Sequence, residues 1–272
     1  MSFEKWQGLG NDFVLIDGRD GKFKPTEKVI RLLADRRYGV GCDQLMIARK
    51  SSKADFKMDL YNADGSRAEM CGNGIRCFAR FLVGKKITSK KKLNVETMAG
   101  IIKTSILPGA MVEVDMGEPV LNGPDVPVNL EGTVVSRKIS TERGEFNITA
   151  VSMGNPHVVI FTDKLEGVDL DRLGPFLETH PLFPRKINVH FARVDDKKTI
   201  TARHWERGSG PTLACGTGAC ATAVASALNN LTGRAVTVKQ RGGALKIRWD
   251  KADNRVYMTG PAEMAFAGKI RV

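Results

Sequence analysis

The chain has 272 residues, 42% of them hydrophobic and 26% charged, a balance that fits a soluble globular protein with room for two ordinary domains. No apolar run approaches the roughly 20 residues a membrane helix needs, and Met1-Ser2-Phe3-Glu4-Lys5 lacks the apolar stretch of a signal peptide, so neither membrane attachment nor export is expected. The net charge of +12 admits an anionic partner, but the densest basic run, Lys85 to Lys92, has no interleaved aromatic residues; it reads as a solvated loop, and no nucleic-acid partner is expected.

Alternating or β-branched runs predict strands over 12–17, 44–49, 56–61, 101–107 and 112–115. A helix is predicted over 27–36, behind Pro25-Thr26, and another over 75–83, apolar except for Arg76 and Arg80. The second half repeats the pattern. Strands are predicted over 147–153, 157–162, 187–194, 199–205, 235–240, 245–249 and 255–259. Its helices are predicted over 169–179, interrupted by Gly174-Pro175, and over 219–228, which is built almost wholly of small and apolar residues. A helix apolar all round is a buried helix. The expected architecture is therefore two domains, each a curved sheet around a central helix. The boundary is expected near Gly117-Glu118-Pro119 and the Gly/Pro-rich segment Asn122–Val128. That gives one half over 1–117, joined by a C-terminal strand at about 262–272, and another over 118–261.

Five cysteines, in a chain without an export signal, are expected to be reduced thiols rather than a disulfide framework. Cys77 and Cys220 fall on the two apolar helices and read as core; Cys42 reads as a loop residue. Cys71 and Cys215 differ. Each stands before a Gly-x-Gly turn that opens a helix, Cys71-Gly72-Asn73-Gly74 and Cys215-Gly216-Thr217-Gly218. The spacing between them also separates Asn11 from Asn155, Gln44 from Asn188 and Asn62 from Glu206, which points to a duplicated unit. Two copies facing each other would set two thiols on opposite sides of one cavity.

The first N–H groups of a helix have no intrahelical acceptor and favour negative charge. A thiol placed there is expected to have a lowered pKa, and a carboxylate can bind beside it. This arrangement suits inversion at an amino-acid α-carbon. One thiolate removes the proton, the opposite thiol returns one from the other face, and fixed donors stabilise the charge growing on the carboxylate. For both sulfurs to touch one carbon they must lie roughly 6–7 Å apart. The sequence carries no pyridoxal phosphate motif and no Cys-x-x-Cys, so neither a cofactor nor a metal is expected.

The chain resembles the diaminopimelate epimerase family over essentially its full length. The matching segments are Gly8-Leu9-Gly10-Asn11-Asp12-Phe13, Gly39-Val40-Gly41-Cys42-Asp43-Gln44, Tyr61-Asn62-Ala63-Asp64-Gly65-Ser66 and Glu69-Met70-Cys71-Gly72-Asn73-Gly74-Ile75-Arg76-Cys77. Two more are Gly154-Asn155-Pro156-His157 and Glu206-Arg207-Gly208 leading to Ala214-Cys215-Gly216-Thr217-Gly218. The resemblance implies cofactor-free, two-thiol epimerisation of L,L-diaminopimelate to the meso form in lysine biosynthesis, a cytoplasmic location and a homodimer. It also implies a diaminopimelate epimerase-like fold of class α+β, with two pseudo-symmetric domains and mostly antiparallel sheets. It implies Cys71 and Cys215 as the acid–base pair, with Gly72, Asn73, Gly216 and Thr217 at the reacting carboxylate. Asn11, Gln44, Asn62, Asn155, Asn188, Glu206 and Arg207 would line the substrate pocket. Arg207 suits a distal carboxylate, Glu206 and Asn62 a distal ammonium, and His157 and Glu206 the tuning of the thiols. The nearest alternative is another cofactor-independent two-cysteine racemase or epimerase, against which Asn62, Glu206 and Arg207 argue by providing for a second amino-acid head group. The family carries Glu in a Gly-Glu-Thr before the second cysteine where this chain reads Gly210-Pro211-Thr212. Proline lacks an N–H and fixes φ, so a different approach to that turn is expected.

Overall fold

The computed structural model describes residues 1–271. The chain divides into two compact units, one of Met1–Asp115 with the C-terminal stretch from Thr259, the other of Met116–Met258.

In the first unit, β1 (Ser2–Gly8) and β2 (Asn11–Asp17) form an antiparallel hairpin. Its two-residue turn, Leu9-Gly10, has φ of 60° and 83°, the double positive φ that a tight hairpin favours. The helix α1 (Glu27–Ala34), capped by the Thr26 side chain, leads to β3 (Gln44–Arg49), parallel to β2. Its apolar face, Ile30, Leu33 and Ala34, packs with Val14, Ile16, Leu45 and Ile47. The next strand, β4 (Phe56–Asn62), returns antiparallel to β3. The second helix, α2 (Gly72–Gly84), then crosses to β5 (Lys92–Thr97), parallel to β4. Antiparallel β6 (Gly100–Ile106) and β7 (Met111–Asp115) follow. The sheet wraps α2, which packs against β1, β2, β3, β6 and β7. Ile75, Phe78, Phe81 and Leu82 of α2 are buried, and each contributes about 1.5–3 kcal/mol by leaving water.

The second unit repeats the scheme. A hairpin of β8 (Arg137–Thr141) and β9 (Gly144–Ser152) is extended by antiparallel β10 (Pro156–Phe161). The helix α3 (Leu170–Glu178) leads to β11 (Asn188–Asp196), parallel to β10. Antiparallel β12 (Thr199–Glu206) follows, with the short edge strand β13 (Gly210–Thr212). The helix α4 (Gly216–Leu228) crosses to β14 (Ala235–Gln240), parallel to β12, and β15 (Gly243–Trp249) pairs antiparallel with β14. The chain ends with β16 (Val256–Pro261) and β17 (Glu263–Lys269), the latter pairing with β1. The fold is thus α+β, with two units built on one plan, each a mostly antiparallel sheet around a buried helix. No helix among the described residues is long and apolar enough to cross a membrane.

Two differences from the sequence reading have physical causes. Both central helices start three residues earlier than predicted, at Gly72 and Gly216. Glycine costs a helix about 1 kcal/mol relative to alanine, which hid the first turn; a cysteine cap and burial outweigh it. The strands β1, β5, β8 and β13 are missing from that reading. In β1, Glu4 and Lys5 are buried and paired with Trp6 and Asp12, so polar residues occupy core positions. Pro211 sits exposed on the edge strand β13 opposite Trp205, a place where a residue without an N–H is tolerated.

Candidate active site

Cys71 is the N-cap of α2. Its backbone is extended, and its sulfur accepts a hydrogen bond from the Gly74 N–H at 3.4 Å. The thiol donates to Asn11 Oδ1 at 3.4 Å. Asn11 is delivered by the Leu9-Gly10 turn, and its amide has one orientation: Nδ2 donates to Asp43 Oδ2 at 2.7 Å, leaving the oxygen for sulfur. Arg36 holds Asp43 and Asp12 together through contacts of 2.8 Å. Asn73 Nδ2 lies 3.5 Å from the same Asn11 oxygen. Cys71 itself is partly exposed.

Cys215 is the N-cap of α4 and repeats the backbone geometry, with its sulfur accepting from the Gly218 N–H at 3.3 Å. Its setting otherwise differs. The thiol is buried, donates to the Glu206 carboxylate at 3.1 Å, and lies 3.6 Å from the Thr217 hydroxyl. The backbone N–H of Cys215 donates to Gln240 Oε1 at 2.8 Å. One thiol therefore faces a neutral amide and the other a carboxylate.

The expectation of a lowered thiol pKa fails at Cys215. Burial pushes this thiol well above its ordinary value; the Glu206 charge adds to the rise, and the Thr217 hydroxyl and the Gly218 N–H only partly oppose it. The magnitudes explain the outcome. A helix N-terminus is worth about 0.3–2 kcal/mol to an anion, whereas full burial can shift a group by about 3–5 pKa units. Cys215 accordingly holds its proton, which it shares in a hydrogen bond with Glu206. The other reduced thiols behave as core: burial raises Cys42 to about 11 and Cys77 to about 12.

The remaining predicted residues fall into groups within each unit. Gln44 Nε2 donates to Asn62 Oδ1 at 2.9 Å, and Asn62 Nδ2 donates to Ser66 Oγ at 3.0 Å. Gln44 Oε1 is buried without a hydrogen-bond partner among the described residues. In the second unit, Asn188 Nδ2 donates to the Pro156 carbonyl at 2.7 Å and its Oδ1 accepts from the Arg207 N–H at 3.0 Å. Both ends of Asn188 are thus used to tie the start of β10 to the Arg207 loop. Arg207 Nη1 donates to the Arg185 carbonyl at 3.0 Å. Asn155 Oδ1 accepts from His157 Nε2 at 2.8 Å.

His157 does not stand alone. Its Nδ1 lies 2.8 Å from His190 Nε2, and His190 Nδ1 lies 2.8 Å from His204 Nδ1. All three rings are buried. Burial lowers His157 to about 3 and His204 to about 4, and holds His190 down as well. His190, His204 and Gln240 are absent from the sequence reading. The signal was a polar side chain on the buried phase of a strand: His204 alternates with Ile200 and Ala202, and Gln240 with Val236 and Val238. Cross-strand pairing, which sets His190 directly opposite His204, is not written in either strand alone.

Gly218 is the position where these groups converge. A Cβ there would lie 2.6 Å from His190 Cε1 and 3.1 Å from Cys215 Sγ. Gly218→Ala is expected to cost about 1–3 kcal/mol by overpacking and to move the sulfur. A urea melt and the rate of thiol alkylation check this; wild-type values for both would contradict the packing.

Comparison with known proteins places this geometry in a family. The family model described as diaminopimelate epimerase matches residues 3–122 and 149–265. The diaminopimelate epimerase of Desulfitobacterium hafniense is 50% identical, the match covering 98% of this chain and 97% of that protein. That of Methanococcus maripaludis is 44% identical over the whole of both chains. Among solved structures, a PhzF-family phenazine biosynthesis protein of Bacillus anthracis has a TM-score of 0.71 at 16% identity, covering 100% of this chain and 99% of that one. A hydroxyproline epimerase of Agrobacterium vitis has a TM-score of 0.69 at 14% identity, covering 99% and 90%. These two likenesses concern the fold. With both cysteine-capped helices inside the matched segments, the chain belongs to the diaminopimelate epimerase family.

Proposed function

We infer that this protein is an isomerase that converts L,L-diaminopimelate to meso-diaminopimelate in lysine biosynthesis, by a cofactor-independent two-base proton transfer. The carrying observation is the pair of cysteine-capped helices in unequal settings: an amide beside Cys71, a carboxylate beside a protonated Cys215. In the L,L-to-meso direction Cys71, as thiolate, takes the α-proton. Cys215 gives its proton to the opposite face, which leaves Cys71 as thiol and Cys215 as thiolate; between turnovers solvent takes the proton from Cys71, and a solvent proton returns to Cys215 by way of Glu206. The N–H groups of the first turns at Gly72-Asn73 and Gly216-Thr217 hold the reacting carboxylate, where charge grows as the proton leaves. Gln44 and Asn62 face the distal ammonium, and the Arg207 guanidinium the distal carboxylate. Asn11 and Asn155 orient Cys71 and His157, and Asn188 holds the Arg207 loop. The enzyme works in the cytoplasm as a homodimer.

The test is α-proton exchange in deuterated water, with L,L-diaminopimelate set against proline, hydroxyproline and other amino acids. L,L-diaminopimelate is expected to exchange at least about 10²-fold faster than the one-headed amino acids, because a site built for polar groups rejects ligands that leave them unpaired. Sedimentation of the same preparation is expected to give the mass of two chains. Equal or faster exchange with proline would replace the substrate while keeping the chemistry.

A further inference from the structure

The imidazoles of His157, His190 and His204 form one hydrogen-bonded row inside the second unit, and the proton transfer above gives His190, His204 and Gln240 no task. The row has two ends. At the first, His157 Nε2 meets Asn155 Oδ1, an atom that only accepts, so Nε2 carries the proton and Nδ1 is an acceptor. Then His190 Nε2 must donate to His157 Nδ1, and His204 Nδ1 must donate to His190 Nδ1. His204 Nε2 is left with a lone pair. At the second end, Gln240 Oε1 is engaged by the Cys215 N–H, so the face Gln240 has left to offer is its amide nitrogen, a pure donor. Gln240 lies beside the His204 ring, and neither its Nε2 nor His204 Nε2 has a hydrogen-bond partner of good geometry among the described residues. The tautomers are thus set from the Asn155 end, and Gln240 Nε2 beside the His204 ring is compatible with them.

A row of imidazoles is also a route for a proton. This one ends on two carboxamides, which neither take nor release protons at neutral pH, so it is a scaffold and not a wire. We propose that His190, His204 and Gln240 are positioning residues. They lock His157 as the neutral Nε2–H tautomer and pin the backbone of Cys215 at the start of α4. His157 is thereby a fixed hydrogen-bond donor and not a general base. The kinetic consequence rests on the two-thiol reading; the tautomers do not.

The first experiment is a long-range proton–nitrogen correlation spectrum of the wild-type protein, labelled at histidine, at neutral pH. The chain has 4 histidines, so single substitutions assign the signals. His157 and His190 are expected as Nε2–H tautomers and His204 as Nδ1–H. A Nδ1–H His157, a Nε2–H His204 or any charged ring in the row overturns the proposal, with no variant needed. The second experiment compares His190→Leu with His190→Gln. Leucine removes the donor to His157 and is expected to lower kcat by about 10²-fold with little change in KM, and to release His157 into a mixture of tautomers. Glutamine places an N–H near the imidazole Nε2 position and is expected to recover most of the lost kcat. Wild-type kcat in His190→Leu overturns the positioning role. Should wild type not turn over diaminopimelate at all, the proposed function fails while the spectrum still decides the tautomers.

Discussion

Cys71→Ala and Cys215→Ala are each expected to lower epimerisation of L,L-diaminopimelate by about 10⁴-fold, the upper end of what a positioned acid or base contributes, because no second group serves the same face. Stability and chemistry separate cleanly in these variants. Each sulfur accepts a hydrogen bond from the N–H three residues on, so alanine also removes a helix cap and is expected to cost about 1 kcal/mol. Serine keeps a capping oxygen and is expected to melt close to wild type while remaining inactive as an epimerase. A β-halogenated analogue of the L,L substrate resolves the two roles. Loss of its α-proton expels halide, which needs only the base on the proton's side. Cys215→Ala is expected to retain halide release, and Cys71→Ala to lose it. Normal turnover in either alanine variant would defeat the two-base mechanism; halide release surviving only in Cys71→Ala would exchange the two roles.

The second large effect concerns Arg76, a fully buried arginine in the second turn of α2. Its guanidinium donates to the Gly72 carbonyl at 3.0 Å, to Asn73 Oδ1 at 3.0 Å and to the Pro261 carbonyl at 3.2 Å. It thus binds the first turn of the Cys71 helix to the strand that precedes β17. Truncation to alanine removes two buried hydrogen bonds, at about 1–3 kcal/mol each where the acceptor is left unpaired, and one part-buried bond, and opens a cavity. Arg76→Ala is expected to lose at least about 4 kcal/mol, read in a urea melt as a lower midpoint at nearly unchanged slope. Arg76→Lys is expected to recover part of the loss, since an ammonium cannot reproduce three fixed directions. A loss below about 1 kcal/mol for alanine would mean that water or repacking replaces the guanidinium.

What the sequence made legible follows from what each signal depends on. Strands with alternating or uniformly apolar residues, such as β3, β10 and β14, were legible because burial on one or both faces writes a local pattern. The edge strand β8 was not, because it is largely exposed and its partner β9, not its composition, makes it a strand. Cys71 and Cys215 stood out through a motif and a repeat. The difference between their environments did not, since it depends on Asn11 facing one sulfur and Glu206 the other across a fold. Arg76 was visible as one of two charges on an apolar helix and within a family-matching segment; that its carbonyl partner comes from Pro261, far along the chain, could not be read locally. The histidine row is the extreme case. Its members come from β10, β11 and β12, and no single segment holds two of them.

Capping by sulfur has one more consequence. A cysteine side chain has a single rotatable bond that matters for where its reactive atom points, and in both turns that bond is set by the N–H three residues on. The rotamer is chosen when the helix forms. Its ordering entropy is therefore met during folding, and under the proposed mechanism substrate would arrive at sulfurs that have already stopped searching.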